Sequence, residues 1–200
     1  MQTIRQLERL WDSGCFNRLY RGLVVARPEG WTGIPTGEVS APMAAAMAII
    51  RLDELTQSHL PLYSRLVRAI VGAQEADGGW GDPAVTALCI RALLCGDGQG
   101  AAIEAGIRHL AELQKSEGIW PGVAVRRLQA DPQTSAFVLF ELGNTPIFAD
   151  RVRLADAADW FERHADELDD ATRRLWQQAR LRCRFDAVPH MEPLIWSRVA

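Results

Sequence analysis

Gln74-Glu75-Ala76-Asp77-Gly78-Gly79-Trp80 returns forty residues later as Gln114-Lys115-Ser116-Glu117-Gly118-Ile119-Trp120. In both stretches Gln leads, an acid stands three positions on, Gly follows it and Trp closes the seven. Self-similarity at a period of ~20–50 residues marks an array of packed supersecondary units. Working upstream, each Gln ends an amphipathic run with apolar residues at i, i+3, i+4, i+7: Leu62, Leu66, Ala69, Ile70 and Ala73, then Ile103, Ile107, Leu110 and Leu113. Gly78 and Gly118 stand where a helix end calls for positive φ. Working downstream, Asp82-Pro83 and Asp131-Pro132 each read as the start of a further helix, Asp as cap and Pro as first residue. The Gln amide both donates and accepts, so it is suited to tie one helix end to the next helix start, with Trp covering the joint.

The helices after the two turns align as well, Asp82-Pro-Ala-Val-Thr86-Ala87 against Asp131-Pro-Gln-Thr-Ser135-Ala136. A third, degraded copy spans 25–31: Glu29-Gly30-Trp31 closes it, Ser40-Ala41-Pro42 opens its helix, and Val25 replaces the Gln. Reading outward predicts helices over 2–12, 16–26, 40–56, 60–74, 83–95, 100–114, 132–142, 148–165 and 169–183, with a polar loop at 32–39 and a tail over 184–200. There is no alternating β-branched run, so the chain reads as all-α.

Seven-residue strings of the form QEADGGW and QKSEGIW resemble the QW repeat of the prenyltransferase and squalene-oxidosqualene cyclase superfamily. The resemblance is carried by Gln74, Asp77, Gly78, Gly79 and Trp80, by Gln114, Glu117, Gly118 and Trp120, and faintly by Trp31. It implies one domain over 1–200 of about four helical hairpins, forming an α/α-toroid or part of one. A closed ring of the cyclase kind needs more hairpins than this length supplies, so an open arc with its ends covered by a partner is the companion expectation.

The length supports one substantial core, and 48% hydrophobic with 24% charged residues is the composition of a globular chain. A net charge of −3 gives no nucleic-acid footprint. Met1–Leu10 has no apolar signal core, and the longest apolar stretch, 41–50, is too short to span a bilayer, so the chain is read as cytoplasmic without a transmembrane segment. Cys15, Cys89, Cys95 and Cys183 show no CxxC spacing and read as free thiols.

Several sets of residues are candidates for chemistry or binding. Glu167, Asp169 and Asp170 lie in the string Glu-Leu-Asp-Asp, which approaches the DxDD acid of class II terpene cyclases; the resemblance makes Asp169 the proton donor, although Glu replaces the first Asp. The opposing reading is acids at a helix N-terminus. Asp82 and Cys89 with His59 or His109 approach a prenyltransferase-like zinc site but lack its close Asp-x-Cys string, so neither metal nor cofactor is expected. Trp31, Trp80 and Trp120 read as turn-covering residues, while Trp11, Trp160, Trp176 and Trp196 are candidates for a partner surface. Ser40, Thr86 and Ser135 read as helix caps rather than nucleophiles. Arg173, Arg174, Arg180, Arg182 and Arg184 read as a basic helix end. The function expected is a non-catalytic helical-repeat module that binds an apolar ligand, such as an isoprenoid, or a partner protein; the alternative is an isoprenoid-processing enzyme or a subunit of one. Apolar ends with Leu7, Leu10, Trp11, Phe16, Leu19 and Tyr20 at one side, and Trp176, Ile195 and Trp196 at the other, predict a homodimer or a complex.

Overall fold

Among the described residues four helices begin on proline, at Pro61, Pro83, Pro132 and Pro146, where the ring supplies a helical φ and the missing N–H removes a donor that would go unpaired. The computed structural model describes residues 41–183 except 57, 60 and 97. Among them lie α1 (Ala41–Glu54), α2 (Pro61–Gly72), α3 (Pro83–Leu93), α4 (Gly100–Leu113), α5 (Pro132–Leu142), α6 (Pro146–Ala149), α7 (Leu154–Arg163) and α8 (Asp170–Cys183). No strand occurs among the described residues; the nearest feature is an isolated antiparallel bridge between Pro121 and Ala130. The all-α reading therefore holds. The turn at 25–31, the helices expected before residue 40 and the tail over 184–200 lie outside the described residues.

α1 lies on α3, α3 on α5 and α5 on α8, while α2 covers α1 and α4 covers α3. The sequence explains this sorting. α3 buries every residue from Pro83 to Leu93 except Arg91, and α5 buries Gln133 through Leu142 without a break. Helices apolar all round belong in an interior. α2 buries Tyr63, Leu66 and Ile70 on one stripe, and α7 buries Ala157 and Phe161, as outer-layer helices do. The small residues Ala45, Ala46 and Ala48 of α1 are all buried, which lets α3 approach closely. Cys183 Sγ contacts the Leu139 carbonyl at 3.5 Å, so the C-terminal ends of α5 and α8 lie together.

Helix 132–142 falls where the Asp-Pro start and Gly143 place it. The single helix expected over 148–165 does not form. It is split into the one-turn α6 and the longer α7, with Arg153 at φ −87°, ψ 77° between them. No proline or glycine lies at the break; its cause is the Gln114 side chain, described next.

Candidate functional site

Both seven-residue turns close with the same set of bonds. In the first, Glu75 N–H donates to Gly79 O at 2.9 Å and Gly78 N–H to Glu75 O at 2.9 Å. In the second, Lys115 N–H donates to Ile119 O at 2.9 Å and Gly118 N–H to Lys115 O at 3.0 Å. Gly78 and Gly118 stand at φ 91° and 88°. A Cβ on Gly78 would lie 2.6 Å from Ala105 O, and one on Gly118 would strike the backbone of Asp156 and Ala157. Both glycines are thus required by sign of φ and by contact with the next outer helix.

The glutamines make the tie to that helix. Gln74 Nε2 donates to Gly78 O at 2.8 Å, within its own turn, and to Ala102 O at 2.9 Å, in the first turn of α4. Gln114 Nε2 donates to Gly118 O at 2.7 Å and to Arg153 O at 3.2 Å, while its Oε1 accepts from Arg153 N–H at 2.9 Å. Arg153 is the N-cap of α7. The Gln114 amide binds both backbone groups of this residue in a non-helical conformation, which keeps the chain from running on as one helix into α7.

The tryptophans fill the space behind. Trp80 Nε1 donates to Ile70 O at 2.7 Å and Trp120 Nε1 to Leu110 O at 2.8 Å, each reaching the last turns of the preceding helix. A Cβ on Gly106 would lie 2.8 Å from the Trp80 ring, so glycine there makes room for the indole. Trp120 stacks on Phe148 at 6.1 Å. The backbone N–H of Trp80 donates to Thr86 Oγ1 at 3.0 Å and that of Trp120 to Ser135 Oγ at 2.8 Å. Thr86 and Ser135 are thus not caps of their own helices: each sits on the fourth residue and holds the preceding turn.

The two Asp-Pro starts differ. Asp131 caps α5, accepting from Thr134 N–H at 3.0 Å. Asp82 makes no cap bond on α3. Burial pushes its carboxyl up to about 6, against a hydrogen bond from the Ala124 backbone that lowers it, with the Glu75 charge adding a smaller upward push. A carboxyl whose titration is moved toward neutrality, at the start of an interior helix, is the nearest thing here to an acid–base group.

Asp169 accepts from Ala171 N–H at 2.9 Å, from Thr172 N–H at 3.0 Å and from Thr172 Oγ1 at 2.9 Å, which makes it the N-cap of α8. Glu167, Asp169 and Asp170 are exposed, and Asp170 pairs with Arg173 at 3.2 Å. The structure brings these three acids to one helix start and brings no other carboxylate of the candidate set to them. Asp82, Cys89 and His109 do not converge. Cys89 is buried against apolar neighbours, which raises its thiol far above the usual range, and its Sγ faces the Pro42 carbonyl at 3.8 Å. His109 is buried and points Nδ1 at Asp77 Oδ2, 3.4 Å away. Among the described residues no group of three His, Cys, Asp or Glu side chains is placed to hold a metal.

Two further expectations are corrected. Trp176 is buried and stacks on Phe161 at 4.5 Å, so it belongs to the core and not to an exposed terminal patch. Trp160 is half-buried between Phe161 and His164. Trp11, Ile195, Trp196 and Arg184 lie outside the described residues. Arg173 does not serve a helix C-terminus: it sits in the first turn of α8 and donates to Leu168 O at 2.8 Å. The sequence reading missed Glu141, which is fully buried in α5. Its signal was a lone charge in the apolar run Phe137-Val138-Leu139-Phe140-Glu141-Leu142. Compared with family models, curated proteins and solved structures, the chain matches none of them.

Proposed function

We propose that this chain is a helical-repeat module resembling those of the prenyltransferase and squalene-oxidosqualene cyclase superfamily, a single domain whose hairpins form an arc or small toroid. It binds an apolar ligand of isoprenoid type, or a partner protein, without catalysing a reaction. One observation carries this reading. The turns at 74–80 and 114–120 repeat the same six hydrogen-bond roles: two backbone bonds and one Gln bond within the turn, one from Gln to the next outer helix, one from the indole to the preceding helix and one from the Trp backbone to the fourth residue of an interior helix. A turn used twice for one packing task is what a repeat scaffold requires. The non-catalytic part is supported by Asp169, whose carboxylate is engaged in capping. Homodimerisation and a cytoplasmic location complete the proposal.

The test is titration of the purified chain with farnesol and with squalene, followed by tryptophan fluorescence and by analysis of extracted product. Saturable quenching with unchanged lipid supports the reading; absence of binding to either lipid removes its apolar-ligand form and leaves the partner protein, and formation of a cyclised product defeats it altogether. Sedimentation addresses the dimer: one species near 22.2 kDa at all concentrations rules it out. A second reading, an isoprenoid-processing enzyme or subunit, is favoured by Asp82, whose carboxyl is moved by burial toward the range where a side chain can exchange a proton. Under that reading Asp82→Asn abolishes turnover and Asp169→Asn does not.

A further inference from the structure

The loop between Trp120 and Asp131 is a finger with a fixed base. Pro121 and Ala130 bridge across it, and Asp131 N–H donates to Trp120 O at 2.8 Å. Its tip is a tight turn in which Leu128 N–H donates to Val125 O at 3.0 Å. Every residue from Ala124 to Gln129 is exposed. Val125 and Leu128 are each 49% exposed, and they are two of five large apolar side chains so placed among the described residues. Between them stand Arg126 and Arg127, whose guanidinium groups make no hydrogen bond or ion pair with a described residue. The Lys115 ammonium donates to Arg126 O, which brings a third cation to the same side. From Gly118 to Ala130 there is no acid, in a chain whose net charge is −3. The flanking Asp131 is turned inward to Thr134, and Glu117 bonds Ser116.

We propose that this finger docks the protein on an anionic lipid surface. Val125 and Leu128 enter the boundary between headgroups and acyl chains, and Arg126 and Arg127 bind headgroup phosphate and carboxylate oxygens. Planar guanidinium groups match phosphate oxygens, and long cationic side chains keep their charge at the headgroup level while their stems lie against apolar matter. An acidic peptide would engage the two arginines but leave the flanking Val and Leu without a role; a bilayer uses all four. The bridged base and the turn at the tip hold the finger in one conformation, so little ordering cost accompanies docking. One short apolar turn with three cations gives reversible attachment, since stable anchoring takes two independent signals. The inference goes beyond the apolar-ligand reading and does not depend on it, because it concerns an exposed loop and not an interior site.

Co-sedimentation of the full chain with vesicles tests it. Phosphatidylcholine vesicles containing phosphatidylserine are expected to bind the protein, pure phosphatidylcholine vesicles are not, and high salt releases it. R126E/R127E should weaken partitioning by at least ~30-fold, given the contribution of each basic residue near an anionic surface. L128S should weaken it by several-fold while its thermal midpoint stays that of the parent. No binding to the phosphatidylserine vesicles overturns the proposal, as does equal binding by R126E/R127E. Salt-sensitive binding of a poly-glutamate peptide that L128S leaves intact, with vesicles ignored, overturns it in favour of an acidic protein partner.

Discussion

At Gln74 the side-chain amide donates to two carbonyls; at Gln114 it donates to two and accepts an N–H in return. The first glutamine is half-buried and the second is buried. The same gradient runs through the neighbours. Trp120 is completely buried and Trp80 nearly so, and Ile119 fills the position that Gly79 leaves open. Gly79 has a specific reason to be small: a Cβ there would meet His109 Nε2 at 2.6 Å. The first joint thus admits a buried imidazole and a carboxylate, Asp77, whose Oδ1 also accepts from Gly79 N–H at 2.9 Å. The second joint replaces that polar detail with apolar packing. One backbone plan therefore tolerates either a polar or a dry filling, provided the Gln, Gly and Trp roles are kept.

The sharpest way to break the comparison is to remove the indoles. Trp120→Ala should lose ~3–5 kcal/mol, the cost of emptying a buried aromatic site. Trp80→Ala should lose less, because the cavity beside Gly106 can relax toward Ile90. Urea unfolding of the pair reads the difference, and equal losses would mean that the joints are not graded. Next come the amides. Gln114→Ala leaves Arg153 N–H and two carbonyls without their partner and should cost ~2–3 kcal/mol, against ~1–2 kcal/mol for Gln74→Ala. If the break before α7 is imposed by Gln114, hydrogen exchange at Arg153 N–H should also speed up in the first variant and not in the second.

A pH measurement separates the two Asp-Pro starts. The Asp82 carboxyl is raised in the folded protein from the model-compound range near 3.8 to about 6. Folding therefore favours its protonated form, and its contribution is present below the unfolded value and lost as pH rises from about 4 through about 6. Because the group is only half-buried, solvent screening keeps this effect modest. Asp82→Asn should flatten the slope in that window, read from thermal midpoints, and a slope that persists unchanged would assign it to another group. The smallest effect is expected at Asp169→Asn. Asn caps helices about as well as Asp, so stability should change by less than ~0.5 kcal/mol.

Much of this was legible because local rules and tertiary needs agree. Asp131-Pro132 and Gly143 bracket a helix that forms between them, and the amphipathic runs before each Gln become outer helices. What could not be read locally has its cause elsewhere in the chain. The break before Leu154 is set by an amide 39 residues upstream. Thr86 and Ser135 look like caps from their neighbourhood, yet each sits past the cap position and serves a turn on the preceding segment. Asp82 and Asp131 share a dipeptide but differ in what precedes them: a single residue separates Trp80 from Asp82, while the 121–130 finger precedes Asp131. Asp131 reaches Thr134 N–H across its own first turn, whereas the Asp82 carboxyl makes no such bond. The candidate site was the least legible part. A string that resembles a catalytic acid motif can equally be a helix start, and only the three bonds to Asp169 tell which role its carboxylate fills here.

The two glutamine ties span 28 and 39 residues, short distances along a chain of 200. Each closes a loop around one interior helix, α3 or α5, without waiting for the ends of the chain to meet. The entropy of closing such loops grows slowly with length, and contacts of short range in sequence favour rapid folding. Either joint can therefore serve as a seed from which order spreads to the neighbouring helices. Each joint carries its own indole N–H, to Ile70 O or to Leu110 O, so exchange at these two protons reports whether the seeds open together or one at a time.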